Sequence, residues 1–338
     1  MYIDNRHLKN QISYWLLFMF VIIAIMIVIG GLTRLTDSGL SITKWELFRG
    51  FLPPLDDQKW NIYFSEYKDI PEFKIQNYSM TLEEFKVIFW WEWVHRQLGR
   101  FIGLCFLIPL IYFSLKINFK NLIYLYLIFF LICFQGFIGW YMVSSGLINR
   151  VDVSHYRLSV HLVIAFVILS LIFWNYLNLR NYYLKSIKLS IFFPITFLLI
   201  IFIQIIIGAF VSGMDAGKLY NTWPLMGESY FPDDNPLKSI LSIYAFSDPS
   251  LVQFMHRNLA YLISIYYLII LFKVYNRKLK DLYQIINLLG VILLIQIILG
   301  ILTLLYGAQI ILASMHQISS IFLVSSSVYF LFIKYKSN

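Results

Sequence analysis

The chain has 338 residues, of which 59% are hydrophobic and only 13% are charged, and its mean hydropathy is +0.71. Soluble globular domains carry about 25% charged residues, so this composition excludes a soluble protein and predicts an all-α integral membrane protein. The two cysteines, Cys105 and Cys133, both lie in apolar stretches, so the sequence implies neither a disulfide framework nor a thiolate metal site.

Eight apolar runs are long enough to cross a bilayer as helices, which takes about 20 residues. In chain order they are residues 14–33, 88–114, 122–144, 155–178, 189–212, 251–274, 283–306 and 309–333. Only thirteen residues precede the first run, too few for a mitochondrial transit peptide, and no small-residue cleavage site follows it. We therefore expect a direct insertion signal and a location in a bacterial inner membrane.

The charged residues between the runs predict the orientation of the chain. With the N-terminus in the cytoplasm, the inside segments hold thirteen Lys or Arg residues and only two acids, Asp4 and Asp281. The outside loop 35–87 holds nine acids against six bases, and the outside loop 213–250 holds five against two. This positive-inside pattern predicts that both termini are cytoplasmic. The net charge of +9 therefore reflects topology and does not indicate nucleic-acid binding.

Short matches recur in the same order in the two halves of the chain. His95-Arg96 recurs as His256-Arg257, at an offset of 161 residues. The other matches pair Gln135-x3-Gly139 with Gln296-x3-Gly300, Gly146 with Gly307, Ser159-Val160-His161 with Ser314-Met315-His316, and Gly30-Gly31 with Gly208-Ala209. Together they predict a tandem duplication, with one four-helix bundle over 1–180 and a second over 181–338. Four-helix bundles commonly hold cofactors between inward-facing side chains.

Four of the six histidines lie at matched depth near the predicted outer ends of the even-numbered runs. They are His95, His161, His256 and His316. A single histidine in a span most often hydrogen-bonds to a neighbouring helix. Four histidines at the same depth in the membrane, arranged as one pair in each repeat, favour two bis-histidine haem sites instead. Zinc or copper would require further close ligands, usually carboxylate or thiolate, and the sequence offers no such set.

The two halves differ three residues before the first histidine of each pair. Glu92 precedes His95, whereas Gln253 precedes His256. Positions i and i+3 share a helix face, so Glu92 is predicted to face the same site as His95. The functional interpretation is that one half holds a resident haem and the other holds a haem that undergoes chemistry. The structural alternative is that Glu92 only pairs with Arg96 at the membrane interface.

Four arginines near the predicted outer ends of the spans are candidates for binding haem propionates. They are Arg34, Arg96, Arg100 and Arg257. A guanidinium group can bind a carboxylate through two parallel hydrogen bonds, which makes arginine well suited to this role. The alternative is that these side chains meet water or lipid phosphate at the interface.

Several motifs resemble haem A synthase, in the form shared by alphaproteobacteria and mitochondria. They are GGLTRLTDSGLS, EWVHRQLGR, QGFIGWYMVSSGL, YRLSVHL, GAFVSGMDAG, NTWPLMG and MHR, and they cover both halves of the chain. The resemblance implies oxidation of haem O to haem A, the cofactor of cytochrome c oxidase. Two hydroxylations of the C8 methyl group, followed by loss of water, leave a formyl group. Water is the implied oxygen source, and the electron acceptor is open, with quinone as one candidate.

The resemblance also implies roles for the site residues. His95 and His161 match the pair expected to bind the iron of the substrate haem O. His256 and His316 match the pair that binds haem b, and Glu92 matches the essential glutamate. The implied partners are a haem O synthase, the cytochrome c oxidase assembly machinery and membrane lipid, with the haem sites near the periplasmic side. The chain departs from the Bacillus-like branch because residues 35–87 contain no cysteine pair, which excludes a redox role for a loop disulfide.

Two other functions fit part of this pattern. The first is a di-haem b-type membrane electron-transfer protein, such as a quinol oxidoreductase subunit. Its haems would usually lie at different depths, and it would give Glu92 no purpose. The second is a transporter built from repeats, in which the repeats are often inverted and the helices discontinuous. The repeats here are predicted to be parallel and the spans uninterrupted.

Overall fold

The computed structural model describes residues 5–44, 49–180 and 186–337. In chain order its α-helices are α1 (Arg6–Leu35), α2 (Asp57–Lys68), α3 (Pro71–Ile75), α4 (Leu82–Ser114), α5 (Phe119–Asn149), α6 (His155–Leu179), α7 (Phe192–Gly213), α8 (Pro249–Asn276), α9 (Tyr283–Leu305) and α10 (Ile310–Lys336). Among the described residues, eight of these helices are long and apolar enough to cross a membrane, all except α2 and α3. The prediction of an all-α integral membrane protein with eight spans is therefore confirmed.

Several helices extend beyond the apolar runs that predicted them. α4 begins at Leu82 rather than at residue 88 because Thr81 and Glu84 form a capping box. The N–H of Thr81 donates to Glu84 Oε2 at 2.8 Å, and the N–H of Glu84 donates to Thr81 Oγ1 at 3.4 Å. α7 differs in the other direction, since it begins at Phe192 rather than at residue 189.

Contacts divide the chain into two compact units. One unit runs from Val21 to Ala165, and the other joins the described residues up to Phe20 with those from Phe166 onward. The division falls inside α1 and α6. The predicted bundles over 1–180 and 181–338 describe a sequence duplication and stay a prediction, and residues 181–185 at their boundary lie outside the described residues.

In the unit from Val21 to Ala165, the described part of loop 35–87 is folded against α4. Trp60 and Phe64 of α2 are buried in one aromatic cluster with Phe85 and Phe89 of α4. The rings of Phe64 and Phe85 have centroids 5.1 Å apart. Burying such a side chain stabilises a fold by about 1.5–3 kcal/mol relative to exposure. This packing gives the loop a defined structure that the hydropathy pattern does not predict.

In the other unit, α7 packs against α8 and α10, and α9 packs against α10. The C-terminal part of α6 joins this unit, where Trp174 meets Phe332 of α10 edge to face at 5.3 Å. α8 and α10 each carry one of the predicted histidine ligands. The helices that precede them, α7 and α9, are therefore placed to contact those histidines.

Candidate functional site

Each of the four predicted histidines lies on a different long helix. They are His95 on α4, His161 on α6, His256 on α8 and His316 on α10. The imidazole rings of His256 and His316 have centroids 6.4 Å apart, and their planes are inclined by 74°. His95 and His161 are close enough to interact electrostatically. The structure therefore brings together the two histidines of each predicted pair, while their role as iron ligands stays a prediction.

The spacing of His256 and His316 fits a single metal ion between them. Two metal–imidazole bonds of about 2.0–2.1 Å in line through an ion place the ring centroids roughly 6 Å apart, close to the 6.4 Å observed. Among the residues that the structure describes, no group of three or more His, Cys, Asp or Glu side chains could hold a metal ion. Two imidazoles without a carboxylate or thiolate suit a haem iron, whose remaining ligands belong to the porphyrin, better than zinc or copper.

Each of the four imidazoles packs against a glycine of the preceding long helix. A Cβ atom built on Gly30 would lie 3.0 Å from Cε1 of His95. The corresponding distances are 3.0 Å for Gly139 and His161, 3.0 Å for Gly208 and His256, and 2.9 Å for Gly300 and His316. An alanine at any of these positions would have to displace the ring or separate the helices. Glycine is used here because it lets the helix backbone approach the ring closely.

Three of the four histidines also accept a hydrogen bond on their backbone carbonyl from a glutamine of the same preceding helix. The Nε2 donors and distances are Gln135 to His161 at 2.9 Å, Gln204 to His256 at 3.0 Å, and Gln296 to His316 at 3.1 Å. The amides of Gln204 and Gln296 also lie 3.3 Å from imidazole nitrogens. The Gln-x3-Gly spacing at 135–139 and 296–300 is part of the predicted repeat. A third copy of the same spacing, at 204–208, was not predicted, although the sequence contains it.

The ring of His316 is oriented by the backbone of α9. Its Nδ1 lies 3.1 Å from the carbonyl oxygen of Gln296. If Nδ1–H donates to this oxygen, Nε2 is the acceptor nitrogen of the ring, and the amide of Gln296 lies 3.3 Å from it. Hydrogen bonds of this kind commonly fix the tautomer of metal-binding histidines. The contact therefore fixes the orientation of the His316 ring, whose role as an iron ligand stays a prediction.

Glu92 is almost fully buried, with 3% of its surface exposed, and both of its carboxylate oxygens accept hydrogen bonds. Oε1 accepts from Nε of Arg96 at 3.0 Å and also from Nη2 of that guanidinium. Oε2 accepts from the Ser41 hydroxyl at 2.7 Å and from the Ile42 N–H at 2.8 Å. Glu92 and Arg96 therefore form a largely buried ion pair. The ion pair with Arg96 that the sequence suggests is present, and Ser41 and Ile42 are further partners that the sequence does not predict.

Gln253, the counterpart of Glu92, is equally buried, with 2% of its surface exposed. Its Nε2 donates to the carbonyl oxygen of Tyr220 at 3.2 Å. Glu92 contacts the segment that follows α1, and Gln253 contacts the segment that follows α7. Both side chains therefore contact the segment after a preceding long helix. Glu92 accepts hydrogen bonds there with a carboxyl group, whereas Gln253 donates one from an amide.

The four arginines proposed for propionate binding have protein partners. Arg34 forms an ion pair with Asp37 at 2.6 Å, and Arg100 donates to the carbonyl oxygen of Gly50 at 3.1 Å. Arg96 donates to the carbonyl oxygen of Ile42 at 3.0 Å in addition to Glu92. The acceptors of Arg257 are the carbonyl oxygens of Tyr220, Thr222 and Leu225. Arg96 and Arg257 thus tie a histidine-bearing helix to an adjoining loop in each half, and propionate binding stays a prediction.

A second buried carboxyl group lies in the folded segment before α4. Glu72 of α3 is 3% exposed and accepts a hydrogen bond from the Tyr67 hydroxyl at 3.0 Å. That hydroxyl accepts a hydrogen bond from Nδ2 of Asn77 at 2.7 Å. Burial raises the pKa of Glu72 to about 8. The carboxylates whose charges add to this rise are Glu92, Asp152 and Asp37.

We expect Glu72 to make the folded loop segment less stable as the pH rises. The ordinary pKa of this group is 4.5, so between about pH 4.5 and pH 8 the folded state binds one proton more than the unfolded state. Stability is therefore highest below this window and falls as the pH rises through it. Limited proteolysis of the segment should accelerate roughly tenfold or more across the window.

Glu72→Gln, which stays neutral at every pH, should remove most of this acceleration. Glu83→Gln serves as the control, because the Glu83 side chain is 79% exposed in its ion pair with Lys86. An equal pH dependence in the Glu72→Gln variant and the unmodified protein would contradict the assignment.

The chain is similar to known proteins over nearly its whole length, including all four histidines and Glu92. The COX15-CtaA family, described as "Cytochrome oxidase assembly protein", matches residues 13–328. The chain is 48% identical over 341 residues to a haem A synthase of Pelagibacter ubique, with 100% of each chain covered. It is 42% identical to a haem A synthase of Rickettsia bellii over 94% of this chain and 96% of that one. It is also 42% identical to one of Rickettsia felis, over 96% and 98% of the two chains.

Proposed function

The chain belongs to the COX15-CtaA family of cytochrome oxidase assembly proteins, and we propose that it is a haem A synthase. In this proposal the chain oxidises the C8 methyl group of haem O to a formyl group, which yields haem A for cytochrome c oxidase. The full-length similarity to haem A synthases supports this class of reaction. Within the chain, the observation that carries the proposal is the buried carboxyl group of Glu92, paired with Arg96 one helical turn before His95, where the other half has the amide of Gln253.

The two histidine pairs have different tasks in this proposal. His95 and His161 bind the iron of the substrate haem O. His256 and His316 would hold a resident haem b, which would supply a redox centre for the electrons that the reaction releases. The 6.4 Å spacing of the second pair supports this assignment. The glycine beside each ring sets the separation of the helices at the level of the ligands.

Glu92 is the residue proposed to act on the reacting carbon. Each hydroxylation adds the oxygen of one water molecule to that carbon and releases two electrons and two protons. Removing electrons from the methyl-bearing porphyrin leaves positive charge at the carbon. Glu92 can stabilise this charge, capture the carbon as an ester, or accept a proton from the attacking water. After the second hydroxylation the geminal diol loses water to give the formyl group.

A small cavity is lined in part by Arg96, the residue whose guanidinium binds Glu92. Its polar lining includes Thr43 and Ser144, and its volume is about 30 Å³. This is enough room for a single water molecule, and the cavity offers more than one hydrogen-bonding partner. It is the candidate position for the attacking water.

We also propose where the protein is located and which proteins supply its substrate and receive its product. The excess of Lys and Arg in alternate connections supports a bacterial inner membrane protein with both termini in the cytoplasm. In that orientation the four histidines lie toward the periplasmic side. A haem O synthase would supply the substrate, the cytochrome c oxidase assembly machinery would receive the product, and a quinone is a candidate electron acceptor.

Co-expression tests the proposed activity. The chain is produced in a host without haem A, with and without a haem O synthase, and the haems extracted from the membranes are separated and identified. We expect haem A only when both proteins are present. Haem O without haem A, together with a normal haem b spectrum, would contradict the proposal and favour a di-haem b-type electron-transfer protein.

A further inference from the structure

We propose that His95 is the exchangeable iron ligand of the substrate site, and that Met26 makes it exchangeable. The inference rests on the proposed function, because it takes His95 and His161 as ligands of a haem that must enter and leave. A substrate haem needs at least one ligand that can withdraw, whereas a resident cofactor is retained best when both ligands are held. The four histidine positions differ in one contact that bears on this, a hydrogen bond from the facing helix to the histidine backbone.

The difference lies in the residue four positions before each glycine that contacts a histidine. At three positions this residue is a glutamine whose amide donates to the backbone carbonyl of the histidine. At the fourth position the contacting glycine is Gly30 of α1, and the residue four positions earlier is Met26. The imidazole of His95 therefore meets the same close glycine as the other three rings but has methionine in place of glutamine.

Met26 lies at the position that a glutamine has in the other three cases, but it cannot donate a hydrogen bond to the histidine carbonyl. A Cβ atom built on Gly99 would lie 3.5 Å from the terminal methyl of Met26, so this methyl group packs against α4 one turn after His95. A thioether has no hydrogen to donate. Methionine is also flexible and fills space without fixing one geometry. Met26 therefore contributes packing between α1 and α4 near His95. It donates no hydrogen bond to the backbone carbonyl of His95.

The two departures from the repeat occur around the same ligand. Glu92 replaces glutamine one turn before His95, and Met26 replaces glutamine on the facing helix. An interhelical hydrogen bond inside a membrane changes an equilibrium by about threefold on average and by roughly twentyfold at most. The loss of one such bond at His95 is thus enough to bias exchange toward this ligand without unfolding the site.

A reciprocal pair of variants tests the inference. Met26→Gln supplies the missing amide at the substrate site, and Gln204→Met removes an amide from the haem b site. The rate at which each purified protein transfers haem to excess apomyoglobin is followed by absorbance, and the reduced-minus-oxidised spectrum identifies which haem is lost. We expect Met26→Gln to slow transfer from the substrate site about threefold or more. Gln204→Met should accelerate loss of haem b by a similar factor and leave the substrate site unchanged.

Met26→Leu is the matched control, because leucine has a similar volume and also lacks a donor. It should transfer haem at the rate of the unmodified protein. Equal transfer rates in Met26→Gln and Met26→Leu would overturn the inference. If Met26→Gln does not fold, an unchanged rate of haem b loss in Gln204→Met would overturn it as well. Failure of the proposed function has a different signature, because the unmodified protein would then form no haem A from haem O whatever its transfer rates.

Discussion

Replacing Glu92 with glutamine is expected to leave haem bound and to abolish formation of haem A. Glutamine has nearly the same shape, and its carbonyl oxygen can still accept hydrogen bonds from Ser41 and Ile42. It lacks the negative charge that stabilises a cationic carbon, and it is a poor proton acceptor. Losing either contribution lowers a reaction rate by about a hundredfold or more. Chromatography of haems extracted from cells that also make haem O measures the outcome.

The control for this experiment is Gln253→Asn, at the equivalent position of the other half. Gln253 donates to a loop carbonyl and carries no charge, so this variant should still form haem A. The amount of bound haem has to be measured in the same samples, because Glu92→Gln leaves the partly buried guanidinium of Arg96 without its ionic partner. Normal haem A in a Glu92→Gln variant would refute the catalytic role of Glu92.

His256→Ala and His316→Ala are each expected to lower bound haem b by more than about tenfold. Each change removes one of the two imidazoles proposed to hold the iron, and replacing even an indirect partner of a metal ligand commonly costs 10–100-fold in affinity. His316 should be at least as sensitive as His256, because the backbone of α9 already orients its ring through the contact with Gln296. The reduced-minus-oxidised spectrum and the haem content per protein measure the effect.

His7→Ala provides the comparison, since His7 is exposed at the start of α1 and is not assigned to a site. Haem b content in this variant should match that of the unmodified protein. An unaltered spectrum in both His256→Ala and His316→Ala would disprove the assignment of the haem b ligands.

The spans could be predicted because hydropathy is a local property of the chain. A run of about 20 apolar residues must lie in lipid or protein whatever surrounds it, and the eight runs correspond to eight long helices. α2 and α3 were not predicted. They lie in the outside loop 35–87, and α2 is stabilised by the packing of Trp60 and Phe64 on α4, a contact between segments that are separated along the chain.

The glutamines that contact the histidines show why a repeat reveals only part of a site. Gln135 and Gln296 were found because they lie on equivalent spans at the common offset of 161 residues. Gln204 lies on the fifth span, whose equivalent is the first, where Met26 stands instead. A comparison of the two halves therefore does not reveal Gln204. Only its hydrogen bond to a histidine carbonyl shows that it is equivalent to Gln135 and Gln296.

The sequence by itself determined the membrane class, the eight spans, the four histidines in two pairs, and the single charge difference between Glu92 and Gln253. These features depend on residue type and spacing along one chain segment. The tertiary structure decided which donors surround the carboxylate of Glu92. Ser41 and Ile42 lie 51 and 50 residues before it, in a connection without periodic pattern. Their contact with Glu92 exists only because folding packs that connection onto α4, and no local signal in the sequence records such a pairing.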